Sequence, residues 1–395
     1  MAKNKASRTS IKLIFCSLLL FFLSGCLGAY EINDLEIVVG MAVDRGKDPE
    51  TVTLTAQIVK PGEMGKSSED SNPGGNKKAY WNVSDTEESV FEASRQITHK
   101  TGNKLFLSHD QVVIFGQDIA SEGMQKYFDF FLRENTMRPG TLVLVAEGRA
   151  SDILDGGSGK EALPAMNAAN LVKHYGITSQ LYEISLNDFA GRLISGTTCP
   201  IAPLIRVTSD NENKDMSVSG MAVFNKGKMV GTLNPDETRG LLWVLGKVKS
   251  GVVNVPSPEG QGKAAFEIVD AKSKVTPVIA GSKIFINIRV EERAILAEQS
   301  TAENLGTIQG LEALQKIQAE AIRQEILAAY DKSKELNSDI FGFGDMLHKK
   351  YRKEWSRLKN QWDALYPTLV LNVDVQTKIT GTDLLVRPAA PKKEE

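Results

Sequence analysis

The chain has 395 residues, of which 42% are hydrophobic and 24% are charged, as is typical of soluble globular proteins. This length accommodates two or three domains of roughly 100–200 residues each. The formal net charge is −2, so the overall charge gives no indication of a nucleic acid or another polyanion as a partner.

Residues 1–25 have the layout of a secretory signal peptide. Basic residues precede a short apolar run, and no acidic residue appears before Glu31. The run is shorter than the about 20 residues that a membrane-spanning helix needs. It ends at Leu23-Ser24-Gly25-Cys26, which resembles the lipobox of bacterial lipoproteins. We therefore expect cleavage between Gly25 and Cys26.

A lipobox predicts covalent lipid on Cys26, as a diacylglyceryl group on the thiol and an acyl chain on the new N-terminus. Two or more acyl chains anchor a protein stably, because each buried methylene contributes about 0.8 kcal/mol. The mature protein would be tethered outside the cytoplasm to a membrane that it does not cross. The alternative is an ordinary secreted protein with a chance cysteine.

The remaining cysteines exclude a disulfide framework within the mature chain. Cys16 leaves with the signal peptide and Cys26 carries lipid, so Cys199 has no partner. We expect Cys199 to be a buried, small apolar side chain, and a reactive thiol is the alternative.

Residues 26–205 are predicted to form an N-terminal α/β region with two subdomains. Residues 36–43 form a mostly apolar run that is typical of a buried strand. Residues 51–59 alternate strictly between apolar and polar, which predicts a half-buried antiparallel strand. Residues 60–78 are rich in Gly, Ser, Pro and charge, and this composition predicts a mobile surface loop.

A helix is predicted after this loop. Ser84 and Glu87 have the spacing of a capping box, and Gly102 supplies the stop signal. The rest of the region alternates strands at 111–115 and 141–145 with helical segments around 124–132, 150–154, 162–175 and 187–195. This alternation favours a mixed α/β layer.

The polar residues 208–214 indicate a domain boundary, and residues 215–386 are predicted to form a C-terminal α+β domain with a loose tail, 387–395. Its predicted strands are 217–224, 229–233, 251–255, 264–269, 274–280, 283–290 and 369–375. Its predicted helices are 238–248, 304–336 and a further helix that ends near residue 365. The outer face of that last helix carries Lys349, Lys350, Arg352, Lys353, Arg357 and Lys359. We expect this face to contact solvent, and an anionic bilayer is the alternative.

Familiar catalytic patterns are missing together. The four histidines are far apart in the sequence: His99, His109, His174 and His348. They predict no metal site, and no G-x-S-x-G or G-x-G-x-x-G motif occurs. Ser108, His109 and Asp110 are consecutive, whereas a catalytic triad needs side chains that converge in space. The sequence therefore predicts a protein that is not an enzyme and has no cofactor other than the lipid.

Several stretches together resemble the Ger(x)C family, the C-subunit lipoproteins of germinant receptors in endospore-forming bacteria. These stretches are 31–35, 39–44, 130–133, 148–154, 220–224, 237–243 and 339–344, with Trp355, Leu358 and Trp362. The most specific stretch, 237–243, reads ETRGLLW. The resemblance covers nearly the whole mature chain. It departs from the family after the lipid site, where Leu27 and Gly28 replace the usual Trp-Asp.

The resemblance implies three mixed α/β domains, each a β-sheet flanked by helices, within an overall α+β class. It also implies a location on the outer face of the spore inner membrane. The partners would be a large A subunit and a transporter-like B subunit, both embedded in the membrane. No catalytic activity is attached to the family.

The sequence and the resemblance together predict a non-enzymatic, lipid-anchored receptor subunit, needed for assembly or signalling in spore germination. The candidate interface residues are Glu237, Arg239 and Trp243. The alternative is that Arg239 pairs with a nearby carboxylate and Trp243 is part of the core. Two rival functions are a solute-binding lipoprotein of a transport system, with two similar lobes around a cleft, and a cell-wall hydrolase, with convergent catalytic groups.

Overall fold

The computed structural model describes residues 34–64, 78–156, 161–210 and 213–382. The predicted signal peptide with Gly25 and Cys26, most of the predicted loop 60–78, and the predicted tail 387–395 lie outside these residues. The described strands form two mixed sheets, one of nine strands and one of four.

The larger sheet has a parallel centre with antiparallel strands at both edges. Its strands are β1 (Leu35–Arg45), β2 (Val52–Val59), β3 (Tyr80–Glu87), β4 (Lys104–Phe106), β5 (Val112–Phe115), β6 (Leu142–Ala146), β7 (Ile201–Asp210), β8 (Asn213–Asn225) and β9 (Lys228–Leu233). The order is β3-β2-β1-β5-β6-β7-β8-β9, and β4 pairs with the start of β1. The pairs β1–β5, β5–β6 and β6–β7 are parallel, as are β1 and β4.

In the described residues, six α-helices lie between these strands in the sequence. They are α1 (Val90–Thr101), α2 (Gln117–Glu122), α3 (Gln125–Arg133), α4 (Ala150–Asp155), α5 (Pro164–Lys173) and α6 (Leu186–Ile194). Every residue of β5 and β6 is buried, because both faces of the parallel centre are covered. This explains why these strands read as continuous apolar runs rather than as alternating patterns.

The smaller sheet contains β10 (Val252–Pro256), β11 (Lys263–Ala280), β12 (Lys283–Gln299) and β13 (Val370–Gly381). Its helices are α7 (Pro235–Leu245), α8 (Ile308–Glu335), α9 (Phe343–Lys350), α10 (Arg352–Leu358) and α11 (Trp362–Leu365). β12 and β13 are parallel neighbours, so the chain between them crosses over through α8. Along β12, residues alternate between buried and exposed over almost the whole strand.

The predicted mixed α/β fold with sheets flanked by helices is confirmed. The division into regions 26–205 and 215–386, and into three domains, stays a prediction. Residues on both sides of the predicted boundary belong to the larger sheet, since β7, β8 and β9 are its last three strands along the sheet path.

The predicted capping box of Ser84 and Glu87 is wrong. Both residues lie in β3, which pairs antiparallel with β2 over its whole length. The helix begins after Ser89, whose Oγ accepts a hydrogen bond from the Glu92 amide at 3.1 Å. Pairing with β2 therefore overrides a local spacing that also suits a helix start.

Two predicted elements of the C-terminal half also differ from the structure. The predicted strands 264–269 and 274–280 form one strand, β11. Its register with β12 shifts between Ile268 and Asp270, and the pairing continues on both sides of the shift. The predicted continuous helix to residue 365 is instead α9, α10 and α11. Tyr351 interrupts it with φ −125° and ψ 61°, which are not helical values.

Candidate functional site

The first turn of α7 contains the candidate interface residue Glu237. The Asn234 side chain accepts a hydrogen bond from the Glu237 amide at 2.9 Å. The Glu237 side chain accepts one from the Asn234 amide at 2.8 Å, so the two residues form a capping box. Glu237 is half-buried, and its carboxylate stabilises the start of the helix.

Arg239, on the same helix, is only 5% exposed and pairs with Glu325 of α8. Its Nε donates to one Glu325 oxygen at 2.9 Å, and its Nη2 donates to the other. Nη1 donates to the Val252 carbonyl at 3.1 Å, which ties α7 to β10 as well. Burial lowers the pKa of Arg239, but the hydrogen bonds and charge of Glu325 outweigh it and raise the pKa overall.

Trp243 lies one turn further along α7 and is 1% exposed. Its Nε1 donates to Glu325 at 2.9 Å, so a single carboxylate receives hydrogen bonds from both Arg239 and Trp243. The backbones of α7 and α8 touch nearby: a Cβ on Gly240 would lie 2.0 Å from the Glu325 carbonyl oxygen. We call Arg239, Gly240, Trp243 and Glu325 the α7–α8 cluster.

The α7–α8 cluster corresponds to the structural alternative that the sequence left open. Arg239 pairs with a carboxylate and Trp243 is part of the core, as that alternative predicts. Glu325, which holds both, was not identified from the sequence, because a glutamate within a long helix carries no distinguishing signal. An interface role for Glu237, Arg239 and Trp243 stays a prediction.

A second buried carboxylate, Asp339, shapes the turn before α9. It is 3% exposed and accepts hydrogen bonds from the amides of Gly342 at 2.8 Å, Phe343 at 3.0 Å and Gly344 at 2.8 Å. Burial raises the pKa of Asp339 to about 6, against the lowering effect of these three bonds. The stretch 339–344, which carries part of the family resemblance, is thus held in shape by its own first residue.

Hydrogen bonds hold the chain before β7 against the first turn of α9 and the residues that precede it. Asp345 accepts hydrogen bonds from three hydroxyls: Ser195 at 3.0 Å, Thr197 at 3.0 Å and Thr198 at 2.6 Å. Arg192 of α6 donates from Nη1 to the carbonyls of Cys199 at 3.1 Å and Ile340 at 2.9 Å. Residues 195–199 and 339–345, here called the clamp, therefore join the larger sheet to the helices of the C-terminal half.

Cys199 lies in the clamp and is partly buried. Burial raises the pKa of its thiol to about 11, so the thiol is protonated near neutral pH. A protonated thiol is a poor nucleophile. The structure therefore favours the predicted packing role of Cys199 over a reactive one.

Glu292 is a carboxyl group within the apolar face of β12, between Val290 and Ala294. Nε2 of Gln318, on α8, donates to its Oε1 at 3.1 Å. Oε2 of Glu292 and Oε1 of Gln318 have no hydrogen-bond partner among the described residues. Burial raises the pKa of Glu292 to about 8, so the carboxyl is mostly protonated near neutral pH. When Glu292 is protonated, its Oε2 carries a hydrogen and can donate a hydrogen bond. The Oε1 of Gln318 is an acceptor that lacks such a donor.

The side chains of Ser108, His109 and Asp110 do not converge. Ser108 donates to the Thr136 carbonyl at 2.9 Å, His109 is exposed, and Asp110 is 1% exposed with a pKa that burial raises well above its usual value. Among the described residues, no three His, Cys, Asp or Glu side chains are grouped so that they could hold a metal ion. No helix in the described part of the chain combines the length and apolar character needed to cross a bilayer.

The fold and its polar clusters define a class: a two-sheet α/β protein whose buried charged groups join elements to each other. Two family models match the chain, "Spore germination protein N-terminal domain" over residues 28–207 and "Spore germination B3/ GerAC like, C-terminal" over residues 219–383. The chain belongs to the Ger(x)C family of spore germination proteins. Membership of this family indicates a role in germination.

Relatives in Bacillus subtilis (strain 168) are similar over nearly their full length. Spore germination protein YndF is 28% identical over 96% of this chain and 98% of that protein. Spore germination protein B3 is 26% identical over 94% and 98%, and spore germination protein KC is 25% identical over 93% and 94%. The crystal structure of the GerBC protein shares the fold, with a TM-score of 0.57 and 19% identity over 86% of this chain and 97% of that chain.

Proposed function

We propose that this protein is a non-enzymatic, lipid-anchored subunit of a nutrient germinant receptor. It is held by lipid on Cys26 at the outer face of the spore inner membrane. Its partners are the membrane-embedded A and B subunits, and it is needed for the assembly or signalling of a complex that senses small nutrients.

The observation that carries this proposal is the match of two spore germination models over residues 28–207 and 219–383. The lipobox that ends at Cys26 supports the anchor. A lipid anchor confines a protein to a thin layer at the membrane surface. Confinement raises its effective concentration for embedded partners without any additional contact.

The rival function, a solute-binding lipoprotein, is not favoured. It predicts two similar lobes around a cleft, whereas the two described sheets differ in size and strand order. A cleft of about 320 Å³ beside the clamp is lined by Arg192 and Asp345, and both groups already bond to other parts of the protein. The relatives named above are spore germination proteins rather than transport proteins.

The proposal is tested by deleting the gene in a strain with no redundant receptor and measuring nutrient-triggered germination. We expect the deletion to abolish the response and the wild-type gene to restore it. Cys26→Ala should remove the protein from spore membranes and lower germination, whereas Cys199→Ala, which removes the other mature thiol, should leave both unchanged. Normal germination in the deletion strain would refute the proposal.

A further inference from the structure

An open groove of about 330 Å³ lies beside the start of β1. Its lining includes Phe91 and Arg95 of α1, Lys104 of β4, and Phe130 and Arg133 of α3. β4 pairs in parallel with the first residues of β1, and Leu35 lies opposite Lys104. The groove therefore adjoins the start of the described chain, just after the residues that follow Cys26 in the sequence. We call it the anchor groove.

The anchor groove combines exposed apolar side chains with arginines. Phe91 is 52% exposed, and its ring centroid lies 6.3 Å from that of Phe130. The Arg95 guanidinium lies 4.9 Å from the Phe91 ring centroid. Helices that lie in the membrane–water interface combine Phe, Trp and Leu side chains with Lys and Arg.

The charges that line the groove favour an anion. Three cationic residues line it, against one acidic residue, Glu134. Arg133 pairs with Asp129, but the two side chains are 79% and 57% exposed. Such exposed pairs contribute little to stability, so Arg133 can exchange Asp129 for a phosphate at little cost. Guanidinium groups match phosphate oxygens in a two-pronged geometry.

The length of chain between the lipid site and β1 limits which face can reach the bilayer. Cys26 and Leu35 are nine positions apart in the sequence. A chain segment of this length spans at most about 30 Å. A compact protein of this size is about 50 Å across. A lipid on Cys26 therefore keeps the face around the start of β1 close to the membrane.

We propose that the anchor groove lies on the phosphate headgroups of an anionic bilayer, with Arg95 and Arg133 on phosphates and Phe91 at the interface. This inference rests on the proposed lipid anchor for its orientation. Each basic residue near an anionic surface strengthens binding about fivefold. The basic outer face of α10, with Arg352 and Arg357, is the competing candidate surface.

The test uses the mature chain with Cys26→Ala, so that no lipid contributes to binding. Co-sedimentation with vesicles of phosphatidylglycerol and phosphatidylcholine is compared with vesicles of phosphatidylcholine alone. We expect binding to the anionic vesicles only, weakening as salt is raised. Arg95→Glu/Arg133→Glu should weaken it at least tenfold, and the matched control Arg352→Glu/Arg357→Glu should bind like the parent, with circular dichroism confirming that both variants are folded.

Three results would overturn the proposal: no binding by the parent, equal binding to neutral vesicles, or a larger loss in the α10 control than in the groove variant. The assay is independent of the proposed function, because it needs neither lipidation nor a receptor. If the protein from spores lacks lipid on Cys26, the proposed lipid anchor is wrong. The vesicle assay still shows whether the anchor groove binds an anionic bilayer. Failed vesicle binding leaves the germination result unaffected.

Discussion

The two sheets of this protein are stabilised in different ways. In the larger sheet, β5 and β6 are buried on both faces and contain only apolar side chains. In the smaller sheet, the buried face of β12 lies against α8, and its other face carries charged, exposed residues such as Arg289, Glu291 and Arg293. The centre of the larger sheet is thus an interior layer, whereas the smaller sheet has a single covered face.

In the C-terminal half, several buried polar side chains form hydrogen bonds with one helix, α8. α8 contributes Glu325 to the α7–α8 cluster and Gln318 to the contact with Glu292. Further along α8, the Tyr330 hydroxyl donates to the carbonyls of Tyr366 at 3.1 Å and Leu369 at 3.0 Å. We therefore expect substitutions beneath α8 to be costly and substitutions on the outer face of the smaller sheet to be nearly neutral.

The largest expected effect is that of Glu325→Ala. It leaves the buried Arg239 charge and the Trp243 Nε1 without their acceptor, which should lower the free energy of unfolding by about 3–5 kcal/mol. Urea unfolding followed by circular dichroism measures this loss. Glu320→Ala is the matched control on the same helix: its exposed pair with Arg323 should cost under about 1 kcal/mol. Similar losses for both variants would contradict the importance of the cluster.

Glu292 should make stability depend on pH. Its pKa of about 8 in the folded protein lies above the ordinary value of 4.5, so the folded state binds the proton more tightly. The contribution of Glu292 to stability is then fully present below pH 4.5 and is lost as the pH rises through about 8, by about 1.4 kcal/mol per pH unit in between.

Glu292→Gln should reduce this dependence by the part that Glu292 contributes, because an amide does not titrate in the range. Burial also raises the pKa of Asp110, and that of Asp339 to about 6, so the variant should keep a smaller slope than the wild-type protein. The control is Glu291→Gln on the exposed side of β12, which should retain the slope of the wild-type protein. Urea midpoints measured from pH 5 to pH 9 test both variants. An equal slope in Glu292→Gln and in the wild-type protein would contradict a protonated Glu292.

Gly240→Ala should destabilise the protein, although alanine normally favours a helix interior. The added Cβ would meet the Glu325 carbonyl oxygen at 2.0 Å and force α7 away from α8, at a cost of about 1–3 kcal/mol. Gly191→Ala in α6 is the control, since no atom lies within 4 Å of its added Cβ, and it should stabilise by about 0.5–1 kcal/mol. The midpoint of thermal unfolding should therefore fall for Gly240→Ala and rise for Gly191→Ala. A rise for both variants would contradict the close contact between α7 and α8.

The smallest expected effect is that of Arg293→Ala on the outer face of the smaller sheet. Its pair with Asp270 is 3.2 Å long, but the two side chains are 55% and 39% exposed. We expect a change of under about 1 kcal/mol in the free energy of unfolding, and a smaller change still at high salt. A loss as large as that of Glu325→Ala would remove the distinction between the two faces.

The sequence predicted the elements with strong periodicity and missed what depends on distant partners. β2 was predicted from strict alternation, and α8 was predicted from its apolar stripe, with bounds close to those observed. The prediction that β2 is half-buried was wrong, because Thr55 and Gln57 on its polar face are also buried. The predicted capping box of Ser84 and Glu87 was wrong. Their spacing suits a helix start, but both residues lie in β3 and pair with β2. Glu325 lies 86 positions from Arg239, and no local pattern joins the two. The clamp likewise joins positions about 150 residues apart, such as Ser195 and Asp345.

Lipid attachment at Cys26 is tested most directly by mass spectrometry of the N-terminal peptide of the protein purified from spore membranes. We expect the peptide to begin at Cys26 and to carry a diacylglyceryl group on the sulfur and an acyl chain on the nitrogen. A different first residue, or an unmodified thiol on Cys26, would contradict the anchored receptor subunit proposed here.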